Sequence, residues 1–314
     1  MKISIITVCY NAARTIRDAL ESVAAQAKAE VKVEGEGERR IEIEHIVIDG
    51  GSTDGTVEVI GEFEREIQSS PSPFTFAFRW LSEKDNGMYD AMNKGIRMAT
   101  GDVIGILNAD DVLDGENVLR RIVRLFDCSG CSIDCLYGNV RFVSERGERG
   151  ERGERGERGE RGERGERGER GERGENLARL RALPTVRICF ARWWRPWMLQ
   201  WGYMPPHPAI FIRRECFAKW GGYEPDRREY RIAADYELLI RFFRVHRMRA
   251  RYMPVCTTVM RTGGVSTRDV EARRKLNEEI VKANRANGYF CCFPMLLPKY
   301  FVKIWEFVVP RVRR

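Results

Sequence analysis

Two adjacent carboxylates, Asp110 and Asp111, close one apolar run of this chain, and an acidic, glycine-rich loop, Asp49-Gly50-Gly51-Ser52-Thr53-Asp54-Gly55, closes another. Val103 to Leu107 reads as a buried strand, so the acid pair stands at the edge of a sheet, where open α/β folds bind ligands. Neighbouring carboxylates in a partly dry site repel each other, and a divalent cation is the simplest remedy. Mg2+ or Mn2+ held by one or two carboxylates keeps coordination positions for substrate phosphates, which points to a diphosphate-bearing substrate. The plain alternative is that Asp111 caps a following turn. In the glycine loop, Gly51 and its neighbours permit close backbone approach beside Ser52, and Asp49 can accept hydrogen bonds from a base or ribose; Asp-Gly-Gly-Ser is equally an ordinary turn. The loop is neither a G-x-G-x-x-G fingerprint nor a G-x-x-x-x-G-K-[ST] phosphate loop, which argues against hydride transfer and ATP hydrolysis.

The elements that would position these residues alternate along the first third of the chain. Strands are expected at Ile3–Val8, Ile43–Ile48, Phe74–Leu81 and Val103–Leu107, and helices at Ala12–Ala27, Thr56–Ile67 and Met88–Ala99. This alternation predicts an α/β fold with a mostly parallel central sheet flanked by helices, and crossover handedness brings the strand C-termini to one edge. Four loops then meet there: Tyr10-Asn11, the glycine loop, Ser82 to Gly87 with Lys84, and Asn108 to Asp111. Further strands are expected at Cys135–Val143 and Leu183–Phe190, and a helix around Ala234–Val245.

Two polar insertions interrupt the pattern. One spans Lys28 to Arg40; the other is ten Glu-Arg-Gly triplets from Glu145 to Gly174. Glycine at every third position resembles collagen, but the triplets hold no proline, and a solvated loop without a packed core is expected over 145–175. The predicted organisation is one catalytic domain over 1–245, interrupted by that loop, and a helical, membrane-associating extension over 246–314.

The 314 residues, 43% of them hydrophobic, suit a globular enzyme, and the net charge of +8 is not altered by the triplets, which hold equal Glu and Arg. A nucleic-acid-binding protein is disfavoured because that matching leaves no basic stripe and no recognition motif is visible. The nine cysteines show no framework spacing, so buried thiols in a reducing, cytoplasmic setting are expected, and Cys128-x2-Cys131-x3-Cys135 lacks a fourth ligand for zinc. No apolar stretch reaches the roughly 20 residues of a spanning helix.

Four stretches, ISIITVCYNA, VIDGGSTDGT, SEKDNGMYDAMNKGIRMATGDVIGILNADD and HPAIFIRRECFAKWGGYEPDRREYRIAADYELLIRFF, occur in order and together resemble the inverting family-two glycosyltransferases of GT-A fold, of the bacterial surface-polysaccharide type. The resemblance implies a nucleotide-diphosphate sugar as donor and a saccharide or lipid-linked acceptor. It places Asp49 against the base with Tyr10 and Asn11 close by, Asp110 near the ribose, and Asp111 on the Mg2+ or Mn2+ at the diphosphate. The Asp-x-Asp motif of the family reads Asn108-Ala109-Asp110 here, with Asp111 following. Asp235 falls where the family keeps its catalytic base, and His207 where it carries a histidine near the acceptor. Inversion at an anomeric carbon requires the attacking hydroxyl to lose a proton, which a carboxylate can take. A catalytically inactive nucleotide-sugar-binding relative is the rival within the family, and it is disfavoured by the presence of both Asp111 and Asp235.

Trp193, Trp194, Trp197 and Trp201 with Arg192 and Arg195 suit stacking on sugar rings or a membrane interface. Phe301, Ile304, Trp305 and Val308 lie at helical spacing near a basic end. Together they predict peripheral contact with an anionic membrane at the inner face of the cytoplasmic membrane.

Overall fold

The computed structural model describes residues 1–28, 41–69, 76–127, 132–144, 169–224, 229–262 and 270–302. Most of the Lys28–Arg40 insertion, the triplets up to residue 168, Cys128, Cys131 and the Ile304–Val308 pattern lie outside the described residues.

The opening alternation folds as β1 (Lys2–Cys9), α1 (Ile16–Lys28), β2 (Glu42–Asp49), α2 (Thr56–Ser69), β3 (Phe76–Ser82), α3 (Met88–Met98) and β4 (Val103–Asn108). The four strands stand side by side in the order β3-β2-β1-β4, all parallel. Both faces of β1 are covered: Ile3 and Ile5 pack with Ala19 and Val23 of α1, whereas Ile6 and Val8 pack with Ala91 and Met92 of α3. A strand buried on both sides is mostly apolar, and the buried polar exceptions pair across the strands, Ser4 Oγ donating to Glu44 Oε2 at 2.6 Å and Thr7 Oγ1 lying 3.0 Å from His45 Nε2. On α3, Gly95 lets the helix lie against β1, since a Cβ there would stand 2.3 Å from Ile6 Cγ2.

Beyond Asn108 the sheet changes direction. A short β5 (Val112–Leu113), α4 (Val118–Asp127), β6 (Cys135–Val143), α5 (Glu169–Ala182), β7 (Thr185–Cys189), β8 (Ile210–Arg213), α6 (Arg214–Trp220), α7 (Ala234–Ile240), β9 (Ala250–Arg261) and α8 (Val270–Ala286) complete the described chain. The sheet continues β4-β8-β6-β9-β5, with β8 antiparallel to both neighbours and β9 parallel to β6.

Three expectations differ from the structure. α1 begins at Ile16, not Ala12: residues 13–15 form a turn in which Thr15 N and Ile16 N both donate to Ala12 O at 3.0 and 2.9 Å, while the N–H groups of Asn11, Ala12 and Ala13 are satisfied by Ser52 Oγ, Thr56 Oγ1 and Asp54 Oδ2 at 2.8, 2.8 and 3.1 Å. The low-complexity segment turns helical at Glu169, six residues before its expected end at 175. Leu177 and Leu180, at helical spacing, bury against Val112, Val143 and Val259 and anchor that helix. Most consequentially, the segment read as the start of a helical extension over 246–314 supplies β9, an internal strand of the central sheet. Its disguise is Pro254, which sits where the β6–β9 register shifts, the bulged position at which a strand tolerates proline.

Candidate active site

The C-terminal ends of β3, β2, β1 and β4 form one edge, and side-chain hydrogen bonds zip their loops together. Asn11 Oδ1 accepts from Thr53 N at 3.0 Å, and the residue adopts φ 51°, a left-handed conformation that asparagine tolerates. Tyr10 and Asn11 are exposed at this edge, and so is Lys84 on the β3 loop. Gly51, at φ 81°, closes the β2 turn, and a Cβ at Gly50 would displace the Asp85 carboxylate, whose Oδ2 would stand 2.5 Å from it.

Asp49 differs from its expected place against a base. It is fully buried, and its carboxylate accepts from Gly51 N at 3.1 Å, Ser52 N at 3.0 Å and Ser82 Oγ at 2.7 Å, with Ser52 Oγ donating to the other oxygen. Burial alone would raise its pKa; the donors from Ser52, Ser82 and the loop backbone outweigh it and hold the carboxyl below its ordinary value. Asp49 thus holds the shape of the loop that follows β2.

The acid pair divides in a similar way. Asp110 is exposed, whereas Asp111 is fully buried directly beneath the turn formed by Asp111 N donating to Asn108 O. Asp111 Oδ2 accepts from Asn108 Nδ2 at 2.9 Å, but Oδ1 has no hydrogen-bond partner. Burial, and then the charge of Asp110, push the Asp111 carboxyl well above the usual range. A buried carboxylate oxygen lacking a partner, next to an exposed carboxylate, fits a hard divalent cation, and the all-oxygen donors fit Mg2+ or Mn2+. Among the described residues no cluster of three or more Asp, Glu, His or Cys could hold a metal alone, so remaining ligands would come from substrate and water. The turn is also braced from β9: Arg261 donates through Nη1 to Asp110 O at 2.6 Å and through Nη2 to Asp18 of α1.

Because β8 runs antiparallel to β4, the chain entering it, His207-Pro208-Ala209, arrives beside the end of β4. His207 Nε2 lies 2.7 Å from Tyr223 Oη, and Tyr223 stacks on Tyr89, with ring centroids 5.7 Å apart. Tyr89, in the first turn of α3, donates to Ile232 O at 2.5 Å and lies 3.3 Å from Asp235 Oδ1. Burial raises the Asp235 pKa above its ordinary value against the opposing influence of nearby His207, and burial lowers that of His207. The pair therefore offers a strengthened carboxylate base beside a neutral imidazole. Asp235 is half-buried.

Several residues that hold this cluster escaped sequence reasoning. Glu279 of α8 is buried, and its carboxylate accepts from Arg231 N at 3.0 Å and from Ile232 N and Ala233 N at 2.8 Å each. Ile232 is therefore gripped at its N–H by Glu279 and at its C=O by Tyr89, three residues before Asp235. Asn93, one turn after Tyr89, exchanges two hydrogen bonds with the backbone of Tyr223 at 2.9 and 2.8 Å. Tyr89 and Asn93 share a face of α3 at i, i+4, a legible signal; nothing local marks Tyr223, Glu279 or Arg261. Trp201 ends a 3₁₀ turn, Pro196–Trp201, which packs against α7 and Phe293–Leu296.

With this geometry, residues 4–182 match the family model described as glycosyl transferase family 2, more than half of the chain. The chain belongs to glycosyl transferase family 2. A Mycobacterium tuberculosis relative described as an uncharacterised glycosyltransferase is 30% identical over 239 residues, 76% of this chain and 68% of that one. A second from that organism, described as a PGL/p-HBAD biosynthesis glycosyltransferase, is 27% identical over 254 residues, covering 80% of this chain and 73% of its own. Among solved structures, a mannosyltransferase from Pyrobaculum calidifontis in complex with GDP-Man and Mn2+ superposes with a TM-score of 0.52 at 17% identity, covering 99% of this chain and 73% of its own. Staphylococcus aureus TarS in complex with UDP-GlcNAc gives 0.51 at 15% identity, covering 90% and 67%. The family-2 protein is thus a glycosyltransferase enzyme of GT-A fold.

Proposed function

We propose that this family-2 enzyme transfers a sugar from a nucleoside-diphosphate sugar to an acceptor hydroxyl with inversion, in glycan biosynthesis, with Asp235 as the base. The observation that carries the reading is the Tyr89–Asp235–His207 cluster, set beside the edge where the loops of β1 to β4 converge. The acceptor O–H gives its proton to Asp235 as its oxygen bonds to the anomeric carbon, and the bond from that carbon to the diphosphate oxygen breaks, releasing the nucleoside diphosphate. Tyr10, Asn11, Lys84 and the loop shaped by Asp49, Gly51 and Ser52 receive the nucleotide. Asp110 and Asp111 are the residues that would hold Mg2+ or Mn2+, which supplies charge neutralisation to the leaving diphosphate. His207, kept neutral by burial, orients the acceptor hydroxyl toward Asp235. Support for this donor class comes from the sugar nucleotides in complex with the two structural neighbours of the same fold.

Asp235→Asn separates chemistry from binding. Transfer is expected to fall about 10²–10⁴-fold, the usual share of a general base, while thermal stabilisation by UDP with Mn2+ persists. Undiminished transfer would remove Asp235 from the mechanism.

A further inference from the structure

Of the eleven large hydrophobic side chains exposed among the described residues, eight fall in residues 193–201, 245 and 290–301, far apart in sequence. The fold joins these segments. Gln200 Nε2 donates to Phe290 O at 2.7 Å, Cys291 Sγ donates to Gln200 O at 3.4 Å, and Arg244 donates to Trp197 O at 3.4 Å while its guanidinium lies 4.0 Å over the Tyr289 ring. Trp193, Phe290 and Phe301 are 74%, 71% and 72% exposed, so this is not a core face left slightly open. Trp194, by contrast, is buried against Tyr137 and Phe243 and anchors the segment from within.

The segments that form it carry one sign of charge: residues 190–201 hold Arg192 and Arg195 and residues 289–302 hold Lys299, with no Asp or Glu in either. Arg192 and Arg195 are exposed within the aromatic segment, and Arg192 lies 5.2 Å over the Trp193 ring. Exposed Trp and Phe bordered by arginine, with carboxylates excluded, is the composition of a surface lying in the headgroup region of an anionic bilayer. A basic protein partner would instead find nothing to pair with, and a sugar alone does not need six apolar side chains.

We infer that the surface formed by Trp193, Trp197, Phe290, Phe293, Leu297 and Phe301 docks the enzyme on an anionic lipid bilayer. The same turn, Pro196–Trp201, packs against α7, the helix that carries Asp235, so docking brings the base side of the site toward the membrane. This rests on the proposed transfer reaction and assigns it an acceptor class, a hydroxyl compound anchored in lipid. Among the described residues no helix is long and apolar enough to cross a membrane.

The test is sedimentation of the full chain with phosphatidylcholine vesicles, with and without phosphatidylglycerol. Binding is expected only to the anionic vesicles, with tryptophan fluorescence quenched by brominated lipid. Trp193→Ser/Phe290→Ser/Phe293→Ser should weaken binding by about tenfold or more, and Arg192→Gln/Arg195→Gln should weaken it most at low salt. Phe290→Ser alone, at an exposed position, gives a smaller loss if the triple variant does not fold. Stabilisation by UDP with Mn2+ should be unchanged in each. Wild-type protein that stays in the supernatant, or variants that bind as it does, overturn the proposal. So does light scattering showing that the triple variant converts a dimer to a monomer, or vesicle binding seen only after truncation at Val302. Donor turnover by Asp235→Asn scores the transfer reaction independently of all these outcomes.

Discussion

At the donor edge, each candidate residue stands at or just beyond the end of the strand that delivers it: Tyr10 after β1, Asp49 at the end of β2, Asp110 after β4. On the base side, Asp235 is fixed by partners from elsewhere. The bond from Tyr89 to Ile232 spans 143 positions, and that from Ile232 to Glu279 spans 47. One half of the site is thus written in short loops and the other in tertiary contacts. Motif-length sequence can therefore specify the first, while the second depends on packing among α3, α7 and α8.

The largest expected effect is the loss of transfer in Asp235→Asn described above. Next, Glu279→Ala leaves three backbone N–H groups without their acceptor. Stability should drop by about 2 kcal/mol or more. If Glu279 positions Asp235, kcat should fall about 10²-fold with little change in donor KM, and Glu279→Gln should recover part of it. A purely stabilising residue would lower the melting temperature with kcat preserved at low temperature, which would break the comparison. Arg261→Gln tests the opposite half. Removing the brace on the Asp110 turn should raise donor KM roughly tenfold, with a parallel rightward shift of the Mn2+ titration, and leave the pH profile in place.

The smallest effect is the most diagnostic. Burial raises the Asp235 pKa, and the base acts only when deprotonated, so transfer should decline as pH falls through that raised value. Tyr89 donates toward the carboxylate and opposes the rise, so Tyr89→Phe should move the acidic limb of kcat to higher pH, by about half a unit. An unmoved limb would show that the hydroxyl serves Ile232 alone.

The parallel strands were legible because β1, β2 and β4 are buried and largely apolar and alternate with helices, and their order put Tyr10, Asn11, Lys84 and the Asp110–Asp111 pair on one edge. What sequence could not show was which carboxylates face outward. Asp49 is buried by bonds to its own loop and to Ser82, and Asp111 is buried with Oδ1 lacking a hydrogen-bond partner. Likewise α1 starts late, since residues 13–15 are a turn closed onto Ala12 O and tied to the β2 loop by Asp54 and Thr56, a tertiary arrangement that no local pattern shows. β9 was hidden by Pro254, and with it Arg261, since a bulge that accommodates proline is visible only when its partner strand is present.

The location of that hidden strand sets a limit on dissection. β9 lies between β6 and β5, and its last residue reaches back to Asp18 and the Asp110 carbonyl. A fragment ending at residue 245, or one confined to the span matched by the family model, would expose both neighbours of the missing strand to solvent and untie the carboxylate turn from the first helix. Such a piece would be an opened sheet, and shortening from the C-terminus should abolish thermal stabilisation by UDP with Mn2+ while every candidate residue of the donor edge is still present.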